Sequence, residues 1–320
     1  MFPHRTLGDR AKKAMIEAIS KLGEDKTAYS KNVEKAAEAI SKITGHRFIR
    51  FLSSGNCAIF TIVNALEGKI MIPDQGGWKG FKKYPKLLGK KICTVQTDLG
   101  LIDPETLESH IKKQQPQALF ITSFAGYIAE QNIRAISEIC KENNVLLVED
   151  ASGAIGDHEL ARGDSDVIVC STGSPKILNL MSGGFISTNK EELLEKSREI
   201  IKACKIDPVI CAGIIEELKD SSERIRLLNE YSNRLKEYLP KVVHRHKRGI
   251  CVGFEVDDPK KVAAEAIKRG LITDLSRGFL TVCPIYERFL KRGIVVELKN
   301  LDVFRLSEED ISKIGEILNL

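Results

Sequence analysis

A single tryptophan, Trp78, stands among 320 residues, and no run of uncharged apolar residues approaches the length a bilayer crossing needs. The opening segment MFPHRTLGDRAKKAMIEAIS lacks the apolar core of a secretion signal, so a cytoplasmic location with no membrane partner is expected. Charge of one sign is in short excess. The 49 basic and 44 acidic residues leave +5, too little for a dedicated nucleic-acid binder. Eight cysteines stand singly, mostly inside apolar runs such as DVIVCS and GICVGF. With no CxxC pair and no clustered histidine, neither a disulfide framework nor a metal site is expected. Low-complexity linkers and internal repeats are missing as well, which predicts parts that pack together rather than parts on a tether.

What is there is an ordinary globular composition, 42% hydrophobic and 29% charged, long enough for one large unit and a smaller one. Residues 1–45 read as a helical segment of two amphipathic helices, with Ala14, Ile16, Ala18, Ile19 and Leu22 on the first and Val33, Ala36, Ala37, Ile40 and Ile43 on the second. Over 46–206, short apolar runs (FIRFLSS, KIMIP, KICTVQ, ALFITS, VLLVED, DVIVCS, GGFIST) alternate with helical segments. That is the pattern of strands buried on both faces of a mostly parallel sheet, an α/β domain of three layers. Residues 207–320 predict a long helical stretch to about 238, broken only by Pro208, then a smaller α+β unit. Its strands are expected at KVVHRH, ICVGFEV, LTVC, IVVEL and VFRL, with a helix at 259–269 and another at the end. Two basic runs, WKGFKKYPKLLGKK and HRHKR, are solvated faces or contacts for a polyanion.

Ligands of an open parallel sheet sit beyond the carboxyl ends of its strands, so the residues just after each strand carry the functional reading. In FLSSGNCAIF a strand turns through small residues into a helix, where the Ser54, Gly55 and Asn56 turn can meet a phosphate at a helix N-terminus or serve as a plain cap. VLLVED ends on Glu149 and Asp150, a costly place for a carboxylate without a cationic partner. In CSTGSPKILNLMSGGFIST, Lys176 stands in a tight Ser/Gly/Pro turn after Ser171 and before Gly183 and Gly184. An ordinary turn lysine and an amine that captures a carbonyl are both open there.

The joint spacing of these pieces, with SFAGYIAE and its central Gly126 between them, resembles the core of pyridoxal-phosphate enzymes of fold type I, and most of all the DegT/DnrJ-type aminotransferases. The resemblance implies pyridoxal 5'-phosphate as cofactor, held by Lys176 as a Schiff base. Lys176 then serves as general base, and Asp150 pairs with the protonated pyridine nitrogen. It further implies a phosphate held by Ser54, Gly55, Asn56 and Ser171, and close backbone approach at Gly183 and Gly184, in this family often from a neighbouring subunit of a homodimer. Trp78 can stack on the cofactor ring or be core. Arg305, in the closing segment NLDVFRLSEEDISKIGEIL, resembles the arginine that grips a substrate carboxylate.

The implied activity is a transferase, an aminotransferase acting on an amino or keto compound with a small-molecule donor and acceptor. Three departures narrow it. Gly153 stands where the sugar aminotransferases usually carry a His or Gln that reaches the cofactor, Ser123 replaces a histidine common before the central-glycine loop, and the chain is shorter than most of the family. Within the same fold, a lyase or sulfur-transferring enzyme, and an enzyme acting on an aminoacyl group attached to tRNA, stand as alternatives.

Overall fold

The apolar runs of strand length become one sheet. In the computed structural model, which describes residues 1–21 and 26–319, the runs through residue 188 form β1 (Phe48–Leu52), β2 (Ile70–Pro73), β3 (Ile92–Val95), β4 (Ala118–Thr122), a hairpin of β5 (Phe124–Ala125) and β6 (Ala129–Glu130), β7 (Leu146–Asp150), β8 (Val167–Ser171) and β9 (Gly184–Thr188). Among the described residues seven of these make the large sheet, in the order β1-β9-β8-β7-β4-β2-β3. Strands β2, β3, β4, β7 and β8 pair in parallel, and β9 runs antiparallel between β8 and β1. The expected mostly parallel sheet is therefore present, with one reversed strand.

The inner strands are mostly apolar on both faces because successive side chains enter two different cores. Phe51, Met71, Leu119, Leu147, Ile168 and Phe185 belong to one buried cluster, whereas their neighbours Leu52, Ile72, Phe120, Val148, Val169 and Ile186 belong to another. Each such side chain contributes about 1.5–3 kcal/mol by leaving water, so a slip of one residue would misplace both faces at once.

Helices α1 (Asp9–Ser20) and α2 (Lys26–Thr44) precede the sheet; Leu22, expected on the first helix, lies outside the described residues. Crossovers α3 (Gly55–Ala65), α4 (Gly80–Leu87), α5 (Pro104–Gln114) and α6 (Ile133–Glu142) follow, then the short α7 (Glu191–Lys196) and α8 (Arg198–Ala203). The stripe expected on α1 is only partly used: Ala11 is buried, whereas Ile16 and Ile19 are exposed. The reason is the edge α1 presents to its neighbour, with Met15 against Gly213, where an added Cβ would come within 2.9 Å of the Met15 sulfur.

The stretch from 207 is two helices, α9 (Pro208–Lys219) and α10 (Ser221–Tyr238), meeting at Asp220. Pro208 starts α9 instead of interrupting a longer helix, since Asp207 caps it by accepting from Val209 N and a first-turn proline sacrifices no hydrogen bond. The smaller unit carries β10 (Val252–Glu255), α11 (Pro259–Lys268), β11 (Leu280–Cys283), β12 (Gly293–Val296) and α12 (Glu308–Leu318), with an antiparallel sheet ordered β10-β12-β11. Two expected strands are absent. KVVHRH makes a single bridge, Val242 to Phe254, because Lys241 and His244 adopt left-handed backbone and the chain turns. VFRL is a turn, drawn in by Asp302 accepting from Phe304 N just ahead of the Ser307–Asp310 capping box of α12.

The chain's start is sewn into this smaller unit. Phe2 is buried edge-on against Phe279 at 5.6 Å and its amide donates to Ile272 O, which brings Arg5 toward the large sheet.

Candidate active site

The carboxyl ends of β1, β7 and β8 and the start of the reversed β9 converge. Ser54 caps α3, its hydroxyl accepting from Cys57 N, and it pairs with Gly183 in a parallel bridge that turns Gly55 N toward Gly183 O, whereas the Asn56 amide donates to no described residue. The Asn56 amide therefore stands at a helix N-terminus with its donor available to an anion. The turn is wedged between strands. A Cβ on Gly55 would fall 2.6 Å from Ser171 Cβ, and one on Gly184 would fall 2.4 Å from Gly55 N. Gly183 N donates to Ser53 O at 3.0 Å. Gly184 thus packs on this chain's own Ser53–Gly55 turn, and its lack of a side chain is what lets β9 close on it, while a Cβ on Gly183 would fall 2.5 Å from Thr172 Oγ1.

Glu149 and Asp150 point to opposite faces of β7 and have opposite surroundings. Glu149 is fully buried and saturated, accepting from Ser123 Oγ (2.6 Å), Ser165 Oγ (2.7 Å) and Ala161 N (3.1 Å). Ser123, one of the departures noted above, is therefore occupied in holding Glu149. Asp150 accepts through Oδ1 alone, from Ser152 N (3.0 Å) and Ser152 Oγ (2.5 Å), while its Oδ2 takes no hydrogen bond from any described residue. Burial raises the Asp150 carboxyl above its ordinary value, against the pull of Ser152 and Lys176. Ser152 Oγ in turn accepts from Ser171 N at 2.8 Å, tying the ends of β7 and β8 together.

Lys176 reaches the same place. Its Nζ donates to Tyr127 Oη at 2.6 Å and lies 4.8 Å from the Tyr127 ring centroid and 5.5 Å from that of Trp78. Burial lowers its pKa below that of an exposed lysine; Asp150 opposes that shift and Arg288 adds to it. Trp78 donates from Nε1 to Asn56 Oδ1 at 2.8 Å, so the indole, the anion turn and the lysine form one group. The lysine's backbone is fixed from behind. Arg5 donates to Lys176 O and Ile177 O at 2.5 and 2.6 Å, Arg224 donates to Ile177 O at 3.0 Å, and buried Glu217 pairs with both guanidinium groups. Burial, with Arg224 nearby, pushes the Arg5 guanidinium down to about 9, and Glu217 restrains the shift.

A second charged cluster from the smaller unit faces Tyr127. Arg288 lies 4.6 Å and Lys299 5.0 Å from the ring centroid. Glu297 neutralises them, taking Arg288 Nε and Nη2 at 3.2 Å and Lys299 at 2.5 Å, and it accepts Thr281 Oγ1 at 2.8 Å. Burial resists ionisation of Glu297, but Lys299 and Arg288 outweigh it and hold the carboxyl well below the usual range. Arg288 Nη1 donates to no described residue.

The structure thus gathers Ser54, Gly55, Asn56, Trp78, Asp150, Ser171 and Lys176, with Gly183 and Gly184 behind the turn. It does not bring Arg305 to them. Arg305 sits in the turn before α12, largely exposed, and faces Asp274 at 3.7 Å. Sequence reasoning missed Tyr127, Arg288 and Arg5. Tyr127 carried a signal, since it follows Gly126 in the SFAGYIAE loop; the other two carried none, being single arginines distant in sequence. Of the basic runs, HRHKR is partly spent internally. Arg248 pairs with Glu130, Asp157 and Glu159, and Arg245 donates to the carbonyls of Lys236 and Leu239. Lys79 of the other run stacks on Tyr286 at 5.2 Å.

Residues 10–207 match the DegT/DnrJ/EryC1/StrS aminotransferase family, and residues 222–319 match the MJ1341 family C-terminal domain. Among curated proteins, two UDP-4-amino-4,6-dideoxy-N-acetyl-beta-L-altrosamine transaminases of Campylobacter jejuni are 25% identical, over 63% and 57% of this chain. The matches span 60% and 50% of those relatives' own lengths. Among solved structures, the chain is similar to Helicobacter pylori PseC, an aminotransferase involved in the biosynthesis of pseudoaminic acid, with a TM-score of 0.77 at 15% identity, covering 99% of this chain and 97% of that one. A 3-amino-5-hydroxybenzoic acid synthase gives 0.77 at 14% identity over 100% and 98% of the two chains. A serine palmitoyltransferase from S. paucimobilis with bound PLP gives 0.75 at 13% over 98% and 83%. At these identities the structural likeness establishes the fold, that of fold type I.

Proposed function

Since the chain belongs to the DegT/DnrJ/EryC1/StrS aminotransferase family, we propose that it is a pyridoxal-phosphate-dependent aminotransferase that moves an amino group between an amino acid donor and a keto acceptor. The observation that carries this reading is the meeting of Lys176 and Asp150, two buried groups from different loops whose charges act on each other beside a free anion-binding turn.

The residues fit the cofactor. Its phosphate matches the Gly55 turn with the unused amide of Asn56 and the hydroxyls of Ser54 and Ser171, its pyridine nitrogen matches the unengaged Asp150 Oδ2, and its ring matches the indole of Trp78. When bound, pyridoxal phosphate supplies a carbonyl for amine capture and an electron sink that acidifies the adjoining C–H bond. The chain's own groups do the rest. Asp150, kept ionised by a partner cation, would hold the proton on the pyridine nitrogen. Lys176, whose amine burial tips toward the uncharged form, would carry a proton at Nζ between the donor and acceptor carbons. Tyr127 keeps that amine within 2.6 Å of a single hydroxyl.

The substrate-carboxylate role expected of Arg305 passes to Arg288 in this reading, because Arg288 has an unused Nη1 and acts electrostatically on Lys176. A homodimer is part of the proposal, as is a cytoplasmic location; among the described residues no helix is long and apolar enough to cross a membrane. The nucleotide-linked sugars named in the C. jejuni relatives are the first acceptors to try. The test is a half-reaction: cofactor-loaded protein mixed with L-glutamate should release one 2-oxoglutarate per site. Release of ammonia alongside a keto acid, turnover after turnover and with no acceptor present, from an amino acid carrying a β- or γ-leaving group would mark a lyase and contradict the proposal.

A further inference from the structure

Position 153 has no side chain, and the space such a side chain would fill belongs to Tyr127. A Cβ on Gly153 would stand 2.8 Å from Tyr127 Cε1, 2.9 Å from Cδ1 and 3.1 Å from Ile250 Cδ1. Residue 153 lies in the turn that leaves β7 with Asp150 and Ser152, and a side chain there would enter the space of the ring that contacts Lys176. Tyr127 arrives from elsewhere, the turn between β5 and β6.

That turn is built to deliver it. Gly126, at φ +56, has to be glycine because a Cβ would fall 2.5 Å from Arg288 O. Tyr127 itself is left-handed, at φ +67, a conformation that costs a bulky residue about 1–3 kcal/mol and persists only where its surroundings impose it. Three backbone hydrogen bonds impose it here: Tyr127 N to Phe124 O at 3.1 Å, and Ile250 N and Cys251 N to Tyr127 O, each at 3.0 Å. The ring is buried, and its hydroxyl ends 2.6 Å from Lys176 Nζ.

Resting on the reading of Lys176 given above, we propose that Tyr127 is the positioning residue of this site, replacing the group that position 153 lacks and setting both the place of the lysine amine and its hold on a proton. The groups acting on that amine are Asp150 from β7, Cys170 from β8, Arg288 from the loop before β12 and Glu297 after it, with Lys299 on the other contact of the tyrosine ring. Tyr127 and the Cys170 thiol are the neutral ones among them, and Tyr127 alone is hydrogen-bonded to the amine. Burial and Asp150 raise its phenol above the ordinary value against Arg288 and Lys299, so it keeps its proton. A neutral phenol can donate to the free amine or accept from the ammonium, and the second bond is the stronger because it is charge-assisted. Removing the hydroxyl alone therefore weakens the protonated lysine more and moves its titration to lower pH.

The full-length chain without added cofactor is labelled with trace acetic anhydride across pH, and acetylation of Lys176 is read by peptide mass. Tyr127→Phe, which keeps the ring, should lower the midpoint by about half to one pH unit; an unchanged midpoint would overturn the proposal. Shared space is tested separately by thermal unfolding. Gly153→Ala should cost several degrees in the wild-type chain and clearly less in a Tyr127→Ala background, and equal costs in both would contradict the replacement. Failure of the wild-type chain to bind pyridoxal phosphate would remove the aminotransferase reading while leaving both of these readouts in force.

Discussion

Asp150 at the end of the large sheet and Glu297 in the smaller one are both buried carboxylates that act on Lys176, yet their affinities for a proton are pushed in opposite directions. Asp150 has one oxygen satisfied and one unused, and burial raises it. Glu297 is gripped by Lys299, Arg288 and Thr281, and the two cations, helped by the Thr281 hydroxyl, lower it. The contrast separates two uses of a buried charge: a carboxylate left partly unpaired is available to a ligand, and one that is fully paired neutralises the cations that wall the site.

The largest effect is expected where the two regions meet. In the proposed function Lys176 is both nucleophile and proton carrier, so Lys176→Ala should leave a folded protein with turnover reduced at least about 10³-fold. Asp150→Asn should lower turnover about 10²-fold or more. It should also move the Lys176 titration to lower pH, because Asp150 raises that pKa. Its effect on stability has the opposite sign. A carboxyl with a raised folded pKa contributes stability at low pH that is lost as pH rises through that pKa, so at neutral pH the charge opposes folding and Asn is neutral or stabilising.

Glu297→Gln breaks the comparison from the other side. It strands Lys299 and Arg288 and should cost about 3–5 kcal/mol in a urea titration. The lowered pKa of Glu297 gives stability that is present above the ordinary carboxylate range, near pH ~4.3, and is lost as pH falls toward the folded value. The mutant should accordingly lose more stability at pH 7 than at pH 3, and equal losses would mean that the ion pairs contribute little.

Smaller effects sharpen the contrast between buried and exposed arginine. Arg288→Met should raise the KM of an acidic amino donor about 10-fold or more, while Arg305→Met should leave it within about 2-fold, as expected of an exposed charge. The smallest effect is at Trp78→Leu, where lost stacking should weaken cofactor binding about 2- to 10-fold, measured by absorbance titration of the cofactor.

How much of this was legible depended on whether the signal was local. Strand runs such as VLLVED and DVIVCS, and the turns that leave them, are contiguous in sequence, so the sheet, Asp150, Ser171, Lys176 and the Ser54–Asn56 turn could be read directly. KVVHRH and VFRL have strand composition but lack partners, because left-handed residues and a helix cap turn the chain away; composition does not report that. Arg288, Arg5 and Tyr127 owe their roles to distant segments. Arg5 reaches Lys176 only because Phe2 is anchored under Phe279. Tyr127 matters because of a residue that is not there, the side chain of Gly153, and a missing side chain becomes informative only once the ring that fills its space is known.

The central claim, that Lys176 and Asp150 form one cofactor site, is tested most directly by trapping. The purified chain is mixed with pyridoxal phosphate, its visible spectrum recorded, and the mixture reduced with borohydride and mapped by peptide mass, beside Asp150→Asn and Lys176→Ala. The account predicts a visible band and a pyridoxyl group on Lys176 alone, a blue-shifted or weakened band in Asp150→Asn, and no adduct in Lys176→Ala. An adduct spread over surface lysines, or one on Lys176 with a spectrum indifferent to Asp150, would contradict it.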